Sequence, residues 1–262
     1  MTQERAAADG GGSVQVLQKS ARILDCFSAT RPRLRAADIV QFTGMPTSTV
    51  ARILRTLVGE NLLQRHGAEY SIGLRVTVWS AAAGAGSDLI ATAAPLVARL
   101  RDRSGESGGL YIRQGEARVS VVQAESNKSI IFRGYVGQMM PLHAGAAGKV
   151  FLAYDPAALD AAIATGLPPS TPKTVVDKTV LEEQLAEVRR RGWAFAEEER
   201  EEGLNSLSAP VFGADGGLVA AVAIGGPSFR LTKEAAERLS GVVTECATEI
   251  SRGLLYGGPP PP

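Results

Sequence analysis

The first quarter of the chain has apolar residues at the spacing of amphipathic helices. Apolar positions recur every three or four residues through "VQVLQKSARILDCF", which predicts a first helix over about residues 14–29. A short second helix follows in "AADIVQFTG", where Gly44 stands at the place of a left-handed helix terminator. A third helix is predicted to begin at Pro46 or Thr47, because proline suits a first turn, and to continue to about Glu60.

After the third helix the apolar spacing changes from helical to alternating. In "LLQRHGAEYSIG" two short alternating segments flank "HGAE", which predicts a β-hairpin. Three helices with a tight glycine turn, followed by a hairpin, are the order of elements in a winged helix-turn-helix. We therefore predict a winged helix-turn-helix domain over residues 14–75. A helical linker over 76–90, with a break at "GAGS", is predicted to follow it.

The remaining chain, residues 91–256, mixes strands with helices. Strands are predicted on both sides of "QGEA", in "SIIFRGY", and as a hairpin around "GADGG". Helices are predicted from Asp88 to Arg103, in "AAGKVFLAY", "PAALDAAIA" and "VLEEQLAEVRRRG", and from Leu231 to Leu255 with Thr232 as cap. Because hairpins force antiparallel pairing, these elements predict an α+β domain.

Charge and cysteine usage narrow the class of protein. Residues 1–75 hold ten Lys/Arg against six Asp/Glu, whereas residues 76–262 hold eighteen against twenty-one, so positive charge is concentrated in the predicted winged helix-turn-helix. Cys26 and Cys246 each lie in a helical pattern, which is typical of buried thiols in a reduced cytoplasm. We expect neither a disulfide framework nor a zinc site.

Neither end of the chain has the pattern of a membrane or secretory segment. The first thirteen residues, "MTQERAAADGGGS", lack an apolar stretch, and we predict a disordered tail over 1–13 with Ser13 as the N-cap of the first helix. A second disordered tail is predicted over 257–262. The longest weakly polar run, Val76 to Ala85, is too short to cross a bilayer. A cytoplasmic protein without a membrane segment is expected.

With these blocks in order, the chain resembles the IclR family of bacterial transcriptional regulators from about Val14 to Leu255. The N-terminal blocks are "LRAADIVQFTGMPTSTVARILRTLVGENLLQR" and "YSIG". The C-terminal blocks are "GYVGQMMPLHAGAAGKVFLAY", "RRRGWAFAEEEREEG", "SLSAPVF" and "AAVAIGGP". The resemblance implies a winged helix-turn-helix, a helical linker and a GAF-like effector-binding domain over 91–256. It also implies a homodimer or a dimer of dimers that responds to a small-molecule effector.

The third helix carries the candidate contacts to double-stranded operator DNA. One apolar stripe would pack it on the first two helices, which leaves a face of Ser, Thr and Arg side chains that can reach base edges. On composition alone a merely solvated face is the better explanation, but the basic connector "TRPRLR", the hairpin wing and the resemblance favour DNA contact. The predicted DNA-contacting residues are Arg33, Arg35, Thr47, Ser48, Thr49, Arg52, Arg55, Arg65 and His66.

The segment "HAGAAGK" has the outline of a phosphate-binding loop but lacks two of its residues. Such a loop has glycine where His143 stands and a hydroxyl residue where Val150 stands, so a nucleotide site is not expected. A small-residue turn that opens a helix remains, and its backbone N–H groups are candidates to hold a carboxylate. The resemblance implies that this turn and the last two strands line an effector pocket.

The effector residues follow from the resemblance, position by position. Ala146 and Ala147 match backbone donors, and Ser206 stands where the family often has cysteine. Ala223 and Gly225 stand where some members have serine, which leaves more room and fewer hydroxyls and favours an aromatic or other carboxylic compound. Tight strand packing is an equal explanation for Ala223. The predicted set is Phe132, Ala146, Ala147, Glu198, Leu204, Ser206, Ala223 and Gly225.

An enzyme that processes a small molecule in the C-terminal domain is the alternative. His143 is its candidate base, but the two histidines and two cysteines show no catalytic spacing. The glutamate-rich "AEEEREEG" lacks nearby His or Cys and is typical of a solvated face rather than a metal site. We therefore predict a regulator rather than an enzyme, with no catalytic residue, metal or cofactor. Its predicted partners are operator DNA, an effector and further copies of the chain.

Overall fold

The computed structural model describes residues 14–255 of the 262-residue chain. These residues form two compact units, which divide between Ala83 and Gly84. The predicted tails over 1–13 and 257–262, and the predicted N-cap Ser13, lie outside the described residues.

The first unit is a helical module with a small antiparallel sheet, in the order predicted for a winged helix-turn-helix. Its strand order is β1-β3-β2, with β2 and β3 forming the predicted hairpin. Helix α1 ends earlier than the predicted residue 29, because Ser28 and Arg31 exchange backbone hydrogen bonds of 3.2 and 3.0 Å that close a turn. The elements are α1 Gln15–Leu24, β1 Leu34–Arg35, α2 Ala36–Thr43, α3 Thr47–Gly59, β2 Leu63–His66, β3 Glu69–Ile72 and α4 Leu74–Ala85.

Helix α3 is held to its module by the predicted apolar stripe. Val50, Ile53, Leu54 and Leu57 are all buried and belong to one core cluster with side chains of α1 and α2. The turn before it depends on Gly44, whose φ of +65° ends α2 and whose N–H donates to the Val40 carbonyl. Helix α3 therefore keeps one face for the core and leaves the other outside.

Helix α4 differs from the other helices because none of its residues is buried. Leu74, Val78 and Trp79 are all more than half exposed. The helix extends to Ala85, and the predicted break follows it, where the Ser87 hydroxyl caps the next helix. No single helix within residues 14–255 is long and apolar enough to cross a membrane; only α4 and the helix after it, taken as a broken pair, reach that length and hydropathy.

The second unit is the predicted α+β domain, built on a six-stranded antiparallel sheet. The strand order is β6-β5-β4-β9-β8-β7, so the two longest hairpins meet at the centre, where β4 pairs with β9. The elements are α5 Asp88–Ser104, β4 Ser107–Gln114, β5 Ala117–Ala124, β6 Met139–Pro141, α6 Ala146–Tyr154, α7 Pro156–Thr165, α8 Lys178–Arg191, β7 Ala194–Glu197, β8 Leu204–Phe212, β9 Leu218–Pro227 and α9 Lys233–Gly253.

Each face of this sheet has its own core. Strand β9 shows the alternation, because Ala221 and Ala223 join the cluster under α6 and α8, whereas Val222 and Ile224 join the cluster under α5 and α9. The small side chains of Ala221 and Ala223 thus lie on the α6 face, whereas Ala220 belongs to the cluster on the other face.

The segment "SIIFRGY" is not a strand, contrary to the sequence prediction. Its backbone is held by side chains rather than by a strand partner: the Ser107 hydroxyl donates to the Phe132 carbonyl at 2.7 Å, and Arg230 donates to the Ile130 carbonyl at 2.9 Å. The short edge strands β6 and β7, which have no strong apolar alternation, were not predicted.

Candidate functional site

The polar face of α3 is open to solvent. Thr47, Ser48, Arg52 and Arg55 are exposed, and Thr49 is half-buried. Proline at the N-cap of α3 has no side-chain hydrogen-bonding group, so the first-turn N–H groups have no cap from that position. The helix therefore presents hydroxyls, guanidinium groups and a positive helix end on the face opposite its apolar stripe.

The wing residues are exposed but locally ordered. The Arg65 Nε donates to the Gly67 carbonyl at 2.8 Å, and its guanidinium lies 6.0 Å from the centre of the Tyr70 ring. His66 Nε2 lies 3.1 Å from the Ser71 hydroxyl. These contacts hold the two basic side chains at the tip of the β2–β3 hairpin, where a wing meets DNA in this class of module.

The basic connector before α2 has two exposed arginines. Arg33 and Arg35 lie on either side of buried Leu34. The backbone N–H of Arg35 donates to the Asp38 carboxylate at 2.8 Å, which fixes the start of α2. DNA contact remains a prediction for all nine residues of the connector, α3 and the wing.

A pocket lies on the α6 face of the six-stranded sheet. About 450 Å³ of space lies between its lining residues, and part of this space is open solvent at the mouth. Six of the eight residues predicted for the effector line it. They are Phe132, Ala147, Leu204, Ser206, Ala223 and Gly225.

The other two predicted effector residues do not line the pocket. The N–H of Ala146 donates to the Ser206 hydroxyl at 3.1 Å, so this donor is used inside the protein. The Glu198 carboxylate lies 3.2 Å from the Lys173 ammonium, and hydrogen bonds from Ser228 and Lys173 lower its pKa. The glutamate of this run that lines the pocket is its neighbour, Glu199.

The protein's own side chains occupy part of the helix end that was expected to hold a carboxylate. The N–H of Gly145, at the N-cap of α6, donates to Glu199 Oε2 at 3.2 Å. The Glu199 carboxylate is also ion-paired with buried Lys149, whose ammonium donates to Gln184 Oε1 at 2.6 Å. The Ser206 hydroxyl accepts from the next N–H, that of Ala146. The anion at the start of α6 is therefore the protein's own Glu199 carboxylate.

Arg118 is a pocket residue that the sequence analysis missed. It lies on β5, is only 3% exposed, and donates from Nη1 to the Pro141 carbonyl. Its Nε is buried without a hydrogen-bond partner. Burial lowers the pKa of the guanidinium to about 10, so the group keeps its charge at neutral pH. The missed signal is the alternation of β5, in which the buried Arg118 and Ser120 are separated by half-buried Val119.

A second arginine, Arg200, also lines the pocket. Its guanidinium lies 4.8 Å from the centre of the Phe132 ring, and its Nη1 lies 3.4 Å from the Met140 sulfur. Its other side is 3.8 Å from the exposed Glu201 carboxylate. The pocket therefore combines two guanidinium groups with apolar walls.

The room expected beside Gly225 is taken by an aromatic ring. A Cβ added at Gly225 would stand 3.0 Å from Phe132 Cδ1, which is closer than ordinary contact. Glycine at this position thus lets the Phe132 ring pack against β9. The expectation of fewer hydroxyls holds for Ala223 and Gly225, but the vacated space at Gly225 is an apolar wall rather than an opening.

The histidines that the enzyme alternative requires are used elsewhere. His66 is on the wing, and His143 is 4% exposed with its Nε2 placed 2.9 Å from the Pro168 carbonyl. Neither residue lines the pocket. The pocket has the chemistry of a binding site whose polar groups are guanidinium, carboxylate and hydroxyl.

Each of the two units matches a known protein family model. The model for the bacterial transcriptional regulator IclR C-terminal domain matches residues 81–252, and the IclR helix-turn-helix domain matches residues 16–67. The HTH-type transcriptional repressor AllR of Klebsiella pneumoniae is 32% identical over 256 residues, which cover 96% of this chain and 93% of the repressor. These relatives are transcriptional regulators and not enzymes.

Solved structures agree with the domain order. An IclR transcriptional regulator from Silicibacter sp. superposes with a TM-score of 0.83 at 25% identity, over 94% of this chain and 98% of that one. An IclR homologue from Microbacterium hydrocarbonoxydans, solved as a complex with 4-hydroxybenzoate, has the same fold, with a TM-score of 0.78 at 24% identity over 92% and 99% of the two chains. With both of its units matched in order, the chain belongs to the IclR family of transcriptional regulators.

Proposed function

We propose that this regulator changes its binding to operator DNA in response to a small molecule held in the pocket of its second unit. The observation that carries the proposal is a pocket with apolar walls and a buried, incompletely bonded guanidinium, in a unit separate from the helix-turn-helix. The ligand acts through unequal affinity for two arrangements of the protein. Regulation of this kind takes place in the cytoplasm, where the DNA is.

The ligand we propose is an aromatic or other mainly apolar carboxylic compound. Phe132, Met140, Ala147 and Ala223 supply apolar walls, and two guanidinium groups supply positive charge. An acid with a flat apolar body complements both features. Because the Microbacterium protein of the same fold was solved with 4-hydroxybenzoate, that compound is a suitable first probe.

For DNA we propose two kinds of contact. The exposed face of α3, with Thr47, Ser48, Thr49, Arg52 and Arg55, enters the major groove, where hydroxyl and guanidinium groups reach base edges. The exposed arginines of the connector and wing contact phosphates, which position the module without specifying sequence. The proposed phosphate contacts are Arg33, Arg35 and Arg65, with His66 beside them.

Arg52→Ala is expected to reduce discrimination between operator and random DNA. Loss of one base contact lowers operator affinity by about 1–3 kcal/mol and leaves affinity for random DNA nearly unchanged. Arg33→Ala is the matched control, since both affinities should fall together and the slope of log affinity against log salt should shrink by roughly one. Both are measured by fluorescence anisotropy, with an operator selected from a random DNA pool. An unchanged specificity ratio in Arg52→Ala would remove this residue from base readout.

We further propose that a second copy of the chain covers the apolar face of the first unit. Val14 and Leu17 of the α1 region are 54% and 66% exposed, and Leu74, Val78 and Trp79 of α4 are 70%, 67% and 52% exposed. Leu74 and Val78 are four residues apart and so lie on one side of α4, and contiguous exposed apolar side chains are typical of an interaction surface. A homodimer, or a dimer of dimers, would bury them and present paired recognition helices to the two half-sites of an operator.

Val78→Glu is expected to shift the assembly toward smaller species, because a carboxylate at this interface would be buried without a partner. Sedimentation velocity over a concentration series measures the shift. The control is Val136→Glu, which changes a residue of similar exposure, 62%, in the second unit. If both variants sediment as the wild type does, the α4 face is not the contact between copies.

A further inference from the structure

We infer that Arg118, rather than the N-terminus of α6, anchors the carboxylate of the effector. The inference rests on the proposed function, because it takes the pocket as the ligand site. It names the group that selects a negatively charged ligand. The expected anchor changes from backbone N–H groups to the Arg118 side chain.

The first argument is the charge balance around Arg118. A buried guanidinium without a carboxylate partner carries a large desolvation cost, and an anion placed beside it would offset that cost. Glu199, the acid that acts on Arg118 electrostatically, is already paired with Lys149. In the described part of the chain no carboxylate completes an ion pair with Arg118. The pocket therefore has an unmatched positive charge at its wall.

The second argument is the geometry of the guanidinium. Its Nη1 donates to the Pro141 carbonyl, while Nε has no partner and Nη2 has only the Met140 sulfur at 4.0 Å. A Cβ added at Gly145 would stand 3.0 Å from Nη2, so glycine at this position allows the guanidinium to approach the turn before α6 closely. One edge of the guanidinium, Nε with Nη2, thus has no oxygen acceptor within the described residues, and the paired oxygens of a carboxylate would satisfy it.

The third argument is what the α6 turn and Arg200 already do. The N–H groups of Gly145 and Ala146 donate to Glu199 and Ser206, so a ligand carboxylate bound to them would displace internal acceptors and face a negative group. Arg200 is more exposed than Arg118, at 17% of its side chain, and lies against Phe132 and near Glu201. Arg118 is therefore the more buried of the two pocket arginines, and its Nε and Nη2 donate to no oxygen acceptor within the described residues.

The position of Arg118 also connects the ligand to α6. The Pro141 carbonyl that accepts from Arg118 ends β6, four residues before the N-cap Gly145. A carboxylate bound to the same guanidinium therefore fixes the segment that leads into α6. This link gives the ligand a route to change the arrangement of the second unit.

The test uses the full chain and a panel of matched probes. Benzoate, 4-hydroxybenzoate and phenylacetate are compared with their primary amides by thermal shift and isothermal titration calorimetry. The variant is Arg118→Gln, and the control is Arg113→Gln on β4, a half-exposed arginine paired with Asp155 at 3.1 Å outside the pocket lining. The thermal midpoint of each protein without ligand is recorded alongside.

The expected result is a loss of acid binding confined to Arg118→Gln. Acids stabilise the wild type and Arg113→Gln more than the amides do, and acid affinity falls about 30-fold or more in Arg118→Gln. The affinity for the amides changes by no more than about twofold, because a neutral amide does not pair with the Arg118 charge and substitutions at groups that do not interact are nearly additive. Without ligand, Arg118→Gln melts no lower than the wild type, because an unmatched buried charge has been removed.

Three results would overturn the inference. They are equal binding of acids and amides to the wild type, an acid preference that survives Arg118→Gln, and a ligand-free Arg118→Gln that melts several degrees lower, as a purely structural bond to Pro141 would require. Arg118→Lys, which keeps the positive charge, is the second variant: a reduced but persistent acid preference supports the anchor, and an unchanged one excludes it.

The same samples separate this inference from the proposed function. If acids and amides alike bind Arg118→Gln and still alter operator binding, the regulator is ligand-responsive and the anchor is elsewhere. If the wild type binds no compound of the panel, the anchor is overturned, and DNA recognition is judged independently by Arg52→Ala.

Discussion

Replacing Lys149 by methionine is expected to lower the free energy of unfolding of the second unit by about 3–5 kcal/mol. Lys149 is 1% exposed and pairs with Glu199, which is 6% exposed. Methionine keeps the apolar stem of the side chain but leaves the Glu199 carboxylate buried with the Gly145 N–H as its remaining short bond. Urea unfolding of the full chain, followed by tryptophan fluorescence and far-UV circular dichroism, measures the loss.

The pKa of Lys149 explains why the loss comes from the orphaned partner. Burial lowers this pKa more than the attraction and hydrogen bond of Glu199 raise it, so the charged form of Lys149 is less favoured in the folded protein than in water. Lys149→Met combined with Glu199→Gln should therefore recover most of the lost stability. Lys178→Met is the surface control, because its pair with Glu182 is exposed and should contribute less than about 0.5 kcal/mol. A double variant as unstable as Lys149→Met would refute this account.

The sequence predicted the elements that local rules determine. The stripe of α3, with Val50, Ile53 and Leu54, follows from helical spacing alone, and Gly44 and Gly192 end helices in the left-handed conformation as expected. The hairpin around "GADGG" is confirmed. Its turn residues and its apolar arms both favour a hairpin, so the local signals do not conflict. The winged helix-turn-helix and the α+β domain are confirmed as classes for the same reason.

Prediction failed where tertiary contacts override local pattern. The β-branched run before Phe132 has strand propensity, yet side chains of Ser107 and Arg230 take its carbonyl groups, and no strand forms. Helix α1 ends at Leu24 because a turn closed by Ser28 and Arg31 follows it. Neither effect is encoded in the spacing of apolar residues.

The pocket shows the same division. Small residues at Ala147, Ala223 and Gly225 were found because they belong to recognisable blocks, and they line the pocket. The run of glutamates could not show which member faces inward, and Glu199 rather than Glu198 does. Arg118 was missed because an arginine in a strand is ordinarily expected at the surface, and only pairing within the sheet buries it.

Replacing Ala223 by leucine is expected to abolish the response to the effector and to leave operator affinity within about twofold. Ala223 pairs with Gly109 on β4 and Ser208 on β8, and its side chain is on the pocket face of β9. Three extra carbons at this wall occupy the space of the ligand. Forcing a ligand against them costs about 1–3 kcal/mol, which weakens binding roughly 5- to 150-fold.

The measurement is operator binding by the full chain with and without 4-hydroxybenzoate, together with calorimetry of the probe. Val219→Leu serves as control, because it enlarges a more exposed residue of the same strand and should retain the wild-type response. Tight strand packing, the other explanation for alanine at this position, makes a different prediction. It requires Ala223→Leu to melt several degrees lower than both the wild type and the control, since a closed wall cannot accept three carbons without strain. An unchanged melting temperature with loss of the probe response would establish that Ala223 borders open space used by the ligand.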